Sequence, residues 1–240
     1  MEIVIVGALG LIVGEIMRRR LGRLGYRLAP AEEVRISGMA SESTEADETG
    51  RTQEVDETAL PVPGTRWWIP IVLGVVWGCV GWRCPVGLMG GWPAAARWAY
   101  FLGWLGFAGI GLGMAVIDLD VRRLPDRYQI LLALVSIGFG VLVFWEFPIR
   151  LLVGLIAGLA CGLVFLVMHA VSRGSLGLGD VKLVMTCGWW LGLTSVASVF
   201  AGLMVSCVLA VAYSLLSRQR QFAFGPWLVA GTVLAGLYLA

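Results

Sequence analysis

What this sequence lacks most is charge. Only 14% of its 240 residues are Asp, Glu, Lys or Arg, against about a quarter in an ordinary soluble domain, and a soluble globular fold is thereby excluded. Lysine occurs once, at Lys182, and histidine once, at His169. The five cysteines (Cys79, Cys84, Cys161, Cys187 and Cys207) show no ligand-like pairing, so neither a zinc site nor a disulfide framework is expected. They should pack as small hydrophobes. A signal-peptide pattern is missing too: Arg18, Arg19 and Arg20 follow the first apolar stretch instead of preceding it, and no small-residue cleavage site appears. That stretch is expected to be a retained first span.

What is present is apolar. Hydrophobic residues make up 58% of the chain, with 33 glycines, 11 tryptophans and several apolar runs of 18 or more. At roughly 20 residues per crossing, the expected fold is all-α, a polytopic integral membrane helical bundle of about eight transmembrane helices, with no room for a second large soluble domain. The spans are read at 2–17, 67–82, 98–117, 128–145, 150–171 and 222–240, with 181–217 split near Thr194–Ser195 because it is too long for one straight crossing. Gly154, Gly158 and Gly162 in the fifth span, and Gly109 with Gly113 in the third, stand at the four-residue interval that lets helix backbones approach closely in lipid.

Three regions follow: 1–28, a first transmembrane helix with a basic flank; 29–66, an acidic flexible loop; and 67–240, a membrane-embedded core. The loop holds nine acids (Glu32, Glu33, Glu42, Glu45, Asp47, Glu48, Glu54, Asp56, Glu57) against three arginines (Arg35, Arg51, Arg66), a net −6, so the remainder carries +8. These basic residues cluster at the ends of apolar runs, which signals topology and excludes nucleic acid as a main partner. With the N-terminus outside, the loops at 18–66, 118–127, 171–182 and 218–221 carry fifteen of the eighteen Lys and Arg residues; the other side keeps Arg83, Arg97 and Arg150. The excess of Lys and Arg marks the cytoplasmic side.

Outside the acidic loop only seven acids remain: Glu2, Glu15, Asp118, Asp120, Asp126, Glu146 and Asp180. An ionisable group in or beside a bilayer is a functional candidate by default. Glu2 and Glu146 fall in outside termini or turns, and Glu15 is one helical turn from Arg18 and Arg19, where an i,i+3 or i,i+4 pair accounts for it. His169 suits a packing or interfacial role. Asp118 and Asp180 remain, both at the cytoplasmic membrane edge of this topology. Two adjacent carboxylates can share a proton, one activating a water while the other protonates a carbonyl. Such chemistry needs no metal and no cofactor. A transporter or channel binding a cation or proton at the same pair is the alternative, which mid-membrane acids and an inverted repeat would favour; the sequence shows neither.

Ile117-Asp118 followed by Leu124-Pro125-Asp126, then Gly177-Leu178-Gly179-Asp180-Val181-Lys182, and finally Phe224-Gly225-Pro226 together resemble the type IV prepilin peptidases, membrane aspartyl proteases of the glycine-x-glycine-aspartate class. The anchors cover about 98–240. The resemblance implies a catalytic pair, Asp118 and Asp180, with Gly177 and Gly179 permitting tight turns, Asp120 and Asp126 capping or positioning the loop beside Pro125, and Lys182 neutralising charge near the pair or snorkelling to the interface. It implies prepilin or pseudopilin helices as substrates, cleaved of a basic leader at the cytoplasmic face of the bacterial inner membrane in type IV pilus or type II secretion systems, with membrane lipid as the surroundings and the four aspartates attracting the leader's positive charge. One departure stands out. Many members carry Cys-x-x-Cys motifs in the first cytoplasmic loop and methylate the new N-terminus, whereas residues 18–66 contain no cysteine, so methyl transfer is not expected here.

Overall fold

The computed structural model describes residues 2–27, 64–83, 93–172, 176–217 and 223–239. Most of the acidic loop, Cys84 with Pro85, Gly90 and Gly91, and the Arg218–Arg220 punctuation lie outside the described residues. Among those described there are eight helices and no strand: α1 (Glu2–Leu21), α2 (Trp68–Arg83), α3 (Ala94–Val121), α4 (Asp126–Phe144), α5 (Pro148–Val171), α6 (Leu178–Gly192), α7 (Val196–Ser217) and α8 (Gly225–Leu239). Four of them (α3, α4, α5 and α7) are long and apolar enough to cross a membrane. With its apolar outer surface, this is a multi-pass helical membrane bundle.

The division at Thr194–Ser195 has a local cause. The Ser195 hydroxyl accepts the Ser198 N–H at 3.0 Å, an N-cap that starts α7, while the Thr194 hydroxyl donates back to the Leu191 carbonyl at 2.7 Å. The end of α3 differs from expectation. The helix does not stop at Ile117 but runs one turn further, so Asp118 is inside it. Termination comes at Arg122, whose left-handed backbone (φ 52°) returns its N–H to the Asp118 carbonyl; Leu124, preceding Pro125, is then biased away from helix. After Pro125, α4 begins at Asp126.

α3 is the central helix. Of its most apolar stretch 72% is buried, against 22% for α7, which is peripheral with its apolar side chains outward. In the core, Phe107 of α3 stacks on Trp190 of α6 at 6.1 Å, and Trp104 meets the same indole edge-on at 5.5 Å. Water does not drive helices together within lipid, so close packing must, and glycine supplies it. A Cβ on Gly158 of α5 would lie 2.9 Å from the Met185 carbonyl oxygen, and one on Gly192 of α6 would lie 3.0 Å from the Cα of Gly154. Gly154, Gly158 and Gly162 thus form the face on which α6 lies. Gly109 and Gly113 behave otherwise: Cβ atoms there would meet Trp77 and Met17 at an ordinary 3.7 Å. In α3 the tight positions are Gly103 against Trp190 and Gly111 against Val229.

Consecutive helices alternate in direction, which sorts the polar residues to two ends. At one end Arg83, closing α2, donates to the Leu237 carbonyl of α8 at 2.6 Å, and Arg150, near the start of α5, donates to the Leu193 and Thr194 carbonyls after α6. Both satisfy helix C-termini that have run out of intrahelical donors. At the other end gather the close of α1 and α3 and the starts of α2, α4, α6 and α8. There Glu15 pairs with Arg18 and Arg19, each at 2.7 Å, as its spacing predicts. Cys79, Cys161, Cys187 and Cys207 are all free; Cys161 and Cys187 are buried and Cys79 half-buried, as packing hydrophobes should be, whereas Cys207 is exposed on the outward face of α7.

Candidate active site

Asp118 reaches the site because α3 continues past it. Its side chain is only 4% exposed, and its Oδ2 accepts the backbone N–H of Gly225 at 3.1 Å. Gly225 opens α8, where N–H groups have no intrahelical acceptor and where the positive end of the helix dipole favours an anion. Proline at 226 brings no N–H, so Gly225 is the donor that the Phe-Gly-Pro sequence offers at this point. The glycine is also a matter of space. A Cβ at 225 would come within 2.7 Å of the Asp118 carboxylate.

Asp180 arrives from another direction. It is the third residue of α6, in the first turn, with its backbone N–H on the Gly177 carbonyl at 3.1 Å. Its Oδ1 is buried and has no hydrogen-bond partner among the described residues. The first turn of a helix, again, is where a carboxylate is favoured.

Leu124 sets the spacing between these two helix starts. A Cβ on Gly179 would stand 3.0 Å from the Leu124 Cβ, and one on Gly225 would stand 3.3 Å from a Leu124 methyl, so the leucine before Pro125 packs against both segments. Gln129, one turn into α4 and buried, donates from Nε2 to the Gly179 carbonyl at 3.0 Å. Gly179 is therefore glycine because a side chain would strike Leu124 and Gln129. The expected tight turns are not the reason: neither Gly177 nor Gly179 takes a left-handed backbone, and Gly177 is extended (φ −67°, ψ 142°). His169 braces the approach to α6, its Nδ1 bonded to the Leu176 carbonyl at 2.5 Å.

The other two aspartates are engaged elsewhere. Asp120 receives Arg27 at 2.9 Å, Arg66 at 3.3 Å and the Tyr26 hydroxyl at 2.5 Å. This buried cluster fastens both ends of the connection between α1 and α2 to the last turn of α3, beside a cavity of about 420 Å³ lined by Arg66, Trp67, Trp68 and Asp120. Burial pushes the Tyr26 hydroxyl above its usual titration range, and the neighbouring Asp120 carboxylate adds to the effect. Asp126 is the first residue of α4, directly after the N-cap position at Pro125. It pairs with Lys182 at 2.5 Å, both side chains being more than half exposed. Sequence reading placed Asp118, Asp180, Gly179 and Lys182 at one end of the fold and quoted Leu124 without a role, but missed Gln129 and the Tyr26–Arg27–Arg66 cluster. Gln129 could have been noticed as a lone amide three residues after Asp126 in an otherwise apolar helix. Among the described residues, no three His, Cys, Asp or Glu side chains converge as a metal site.

Two aspartates on neighbouring helix ends, at one edge of an all-helical bundle, define a class of membrane protein with a carboxylate pair. Residues 105–215, a segment that carries both aspartates, match the model of the Type IV leader peptidase family. Among curated proteins, the chain is similar to the "Prepilin leader peptidase/N-methyltransferase" of Dickeya chrysanthemi, 32% identical over 63% of this chain and 58% of that protein. It is also similar to proteins of the same description from Neisseria gonorrhoeae (28% identical, over 69% of this chain and 55% of that one) and Escherichia coli K12 (29% identical, over 54% and 60%). The chain thus spans less than two thirds of the length of these relatives. No solved structure matches it.

Proposed function

We propose that this chain is an aspartic endopeptidase that removes the basic leader from prepilin-like or pseudopilin-like membrane proteins at the cytoplasmic face of a bacterial inner membrane. The observation that carries the reading is that Asp118 and Asp180 belong to two unconnected helix ends that meet at Leu124, which packs against Gly179 beside Asp180 and against Gly225, the donor to Asp118. One carboxylate takes a proton from water as the water attacks the scissile carbonyl; the other, protonated, donates to the carbonyl oxygen, and the proton then passes to the leaving amine. The tetrahedral centre needs no covalent bond to the protein. Gly225 N–H, Leu124 and Gln129 hold the two carboxylates in place so that little reorganisation accompanies the step.

The relatives' printed names support the substrate class, and the grouping of helix ends beside Arg18–Arg20 supports the side. The leader's positive charge is not met by four free aspartates: Asp120 is matched by Arg27 and Arg66, and Asp126 by Lys182, leaving the Asp118–Asp180 pair itself. The proposal covers peptide cleavage alone, since residues 18–66 contain no cysteine.

The test is cleavage of a prepilin-like substrate by detergent-purified protein, beside Asp118→Asn and Asp180→Asn, with a chelator present. Wild type should cut and each amide variant should be inactive. Near-normal cleavage by either variant would refute the two-aspartate mechanism.

A further inference from the structure

A second cavity, of about 470 Å³, opens between α4, α5 and α6. Its walls are apolar for most of their length: Ile130, Ala133 and Ile137 on α4 face Leu155 and Leu159 on α5. From Asp126 to Ile137 the α4 wall extends about 16 Å at the helical rise per residue. Ile130, Ile137, Leu155 and Leu159 are all about half exposed, so the groove lies open to the side, where lipid surrounds the bundle. One end is polar, formed by Asp126, Gln129 and Lys182.

That polar end is where the groove joins the candidate active site. Gln129 belongs to both. Its Nε2 holds the carbonyl of Gly179, the residue before Asp180, while its Oε1 is buried and has no hydrogen-bond partner among the described residues. The Nε2 donation fixes which end of the amide is the oxygen, so Gln129, a residue at the inner end of the groove, keeps a buried acceptor unmet. A buried acceptor left unmet costs about 1–3 kcal/mol. A lipid acyl chain filling the groove has no donor for it. A polypeptide does, since every residue except proline brings a backbone N–H.

We propose that the groove between α4, α5 and α6 is the docking site for the substrate's apolar membrane helix, with Gln129 Oε1 accepting a backbone N–H of the substrate where its chain leaves the groove for Asp180. This rests on the peptidase reading above and adds where the substrate sits and by which route it enters. Apolar side chains of the incoming helix pack between Ile137 and Leu159, and the segment to be cut lies beyond the Asp126–Lys182 pair. Gln129 acts as a positioning residue.

The test uses the full chain in vesicles of phosphatidylethanolamine and phosphatidylglycerol, with a prepilin-like protein that retains its membrane helix. In an Asp118→Asn background, which binds without cutting, a photo-cross-linking benzoylphenylalanine is placed at Leu159, and as a control at Phe200 on the outer face of α7. An adduct of enzyme plus substrate at Leu159, absent at Phe200, is expected. Lipid adducts alone at Leu159, or equal substrate capture at both positions, would overturn the proposal. In the active protein, Ala133→Phe narrows the groove and should raise KM about tenfold with kcat within roughly twofold; an unchanged KM counts against docking here. Failure of the unsubstituted protein to cleave would instead sink the peptidase reading itself, and cleavage without a groove adduct would sink only the docking site.

Discussion

The carboxylate of Asp118, in the last turn of α3, is held by the backbone N–H of Gly225, a residue 107 positions later in the chain. The aspartate thereby stands in as the N-terminal acceptor of a helix to which it does not belong. Burial, which penalises a bare carboxylate, is offset at this point by a donor and by the start of a helix dipole.

The Gly225–Asp118 contact makes activity sensitive to a single methyl group. Gly225→Ala places a Cβ where only 2.7 Å separates it from the Asp118 oxygen, and one of the two must move. We expect kcat to fall by about a hundredfold, as for ångström-scale misplacement of a reacting group, with the thermal unfolding midpoint in detergent little changed. Wild-type turnover in Gly225→Ala would show that the contact does not position the aspartate.

Asp120 is expected to matter for stability. It is buried with Arg27 and Arg66, side chains 3% and 9% exposed, and removing one partner of such a cluster strands the other charges. Asp120→Leu should cost about 3 kcal/mol, read as a lower unfolding midpoint. Adding Arg27→Leu should recover part of it, because the stranded cation is then gone. Equal midpoints for wild type and Asp120→Leu would mean the cluster contributes nothing.

The Asp126–Lys182 pair is the opposite case. Both side chains are largely exposed, and exposed pairs contribute about 0–1 kcal/mol. Lys182→Gln should leave the unfolding midpoint within about four degrees of wild type. A large loss of stability would show that the lysine does more than pair with Asp126.

The contact of α5 with α6 depends on the absence of side chains. Gly158→Val forces a branched side chain against the Met185 carbonyl, which a Cβ already approaches to 2.9 Å. Overpacking of this kind costs about 1–3 kcal/mol, and because α6 carries Asp180, cleavage should decline together with the unfolding midpoint. The same substitution at Gly109, where a Cβ would find an ordinary 3.7 Å contact, should be far milder.

How much of this could be read in advance depends on the range of the interaction. Apolar runs, the Ser195 break and the Glu15–Arg18 pair are local, and each was legible in the sequence because its cause lies within a few residues. The continuation of α3 through Asp118 was not: two aspartates and an arginine pair look like a loop, yet neither aspartate breaks the helix, and the stop waits for the left-handed Arg122 and the Leu124–Pro125 step. The partners of Asp120 were hidden for another reason. Arg27 and Arg66 lie about 93 and 54 positions away in the chain, and nothing in their spacing marks a shared cluster. Likewise Gly109 and Gly113 have the helix-packing interval, but the interval cannot say whether a large side chain such as Trp77 already occupies the space opposite.

Because Asp118 takes its donor from the start of α8, the site has an order of assembly. A nascent chain that has threaded α3 and α6 into the membrane holds both aspartates and still lacks the N–H that fixes one of them. The Asp118 carboxylate therefore gains its donor only once α8, the last of the described helices, has been made and inserted.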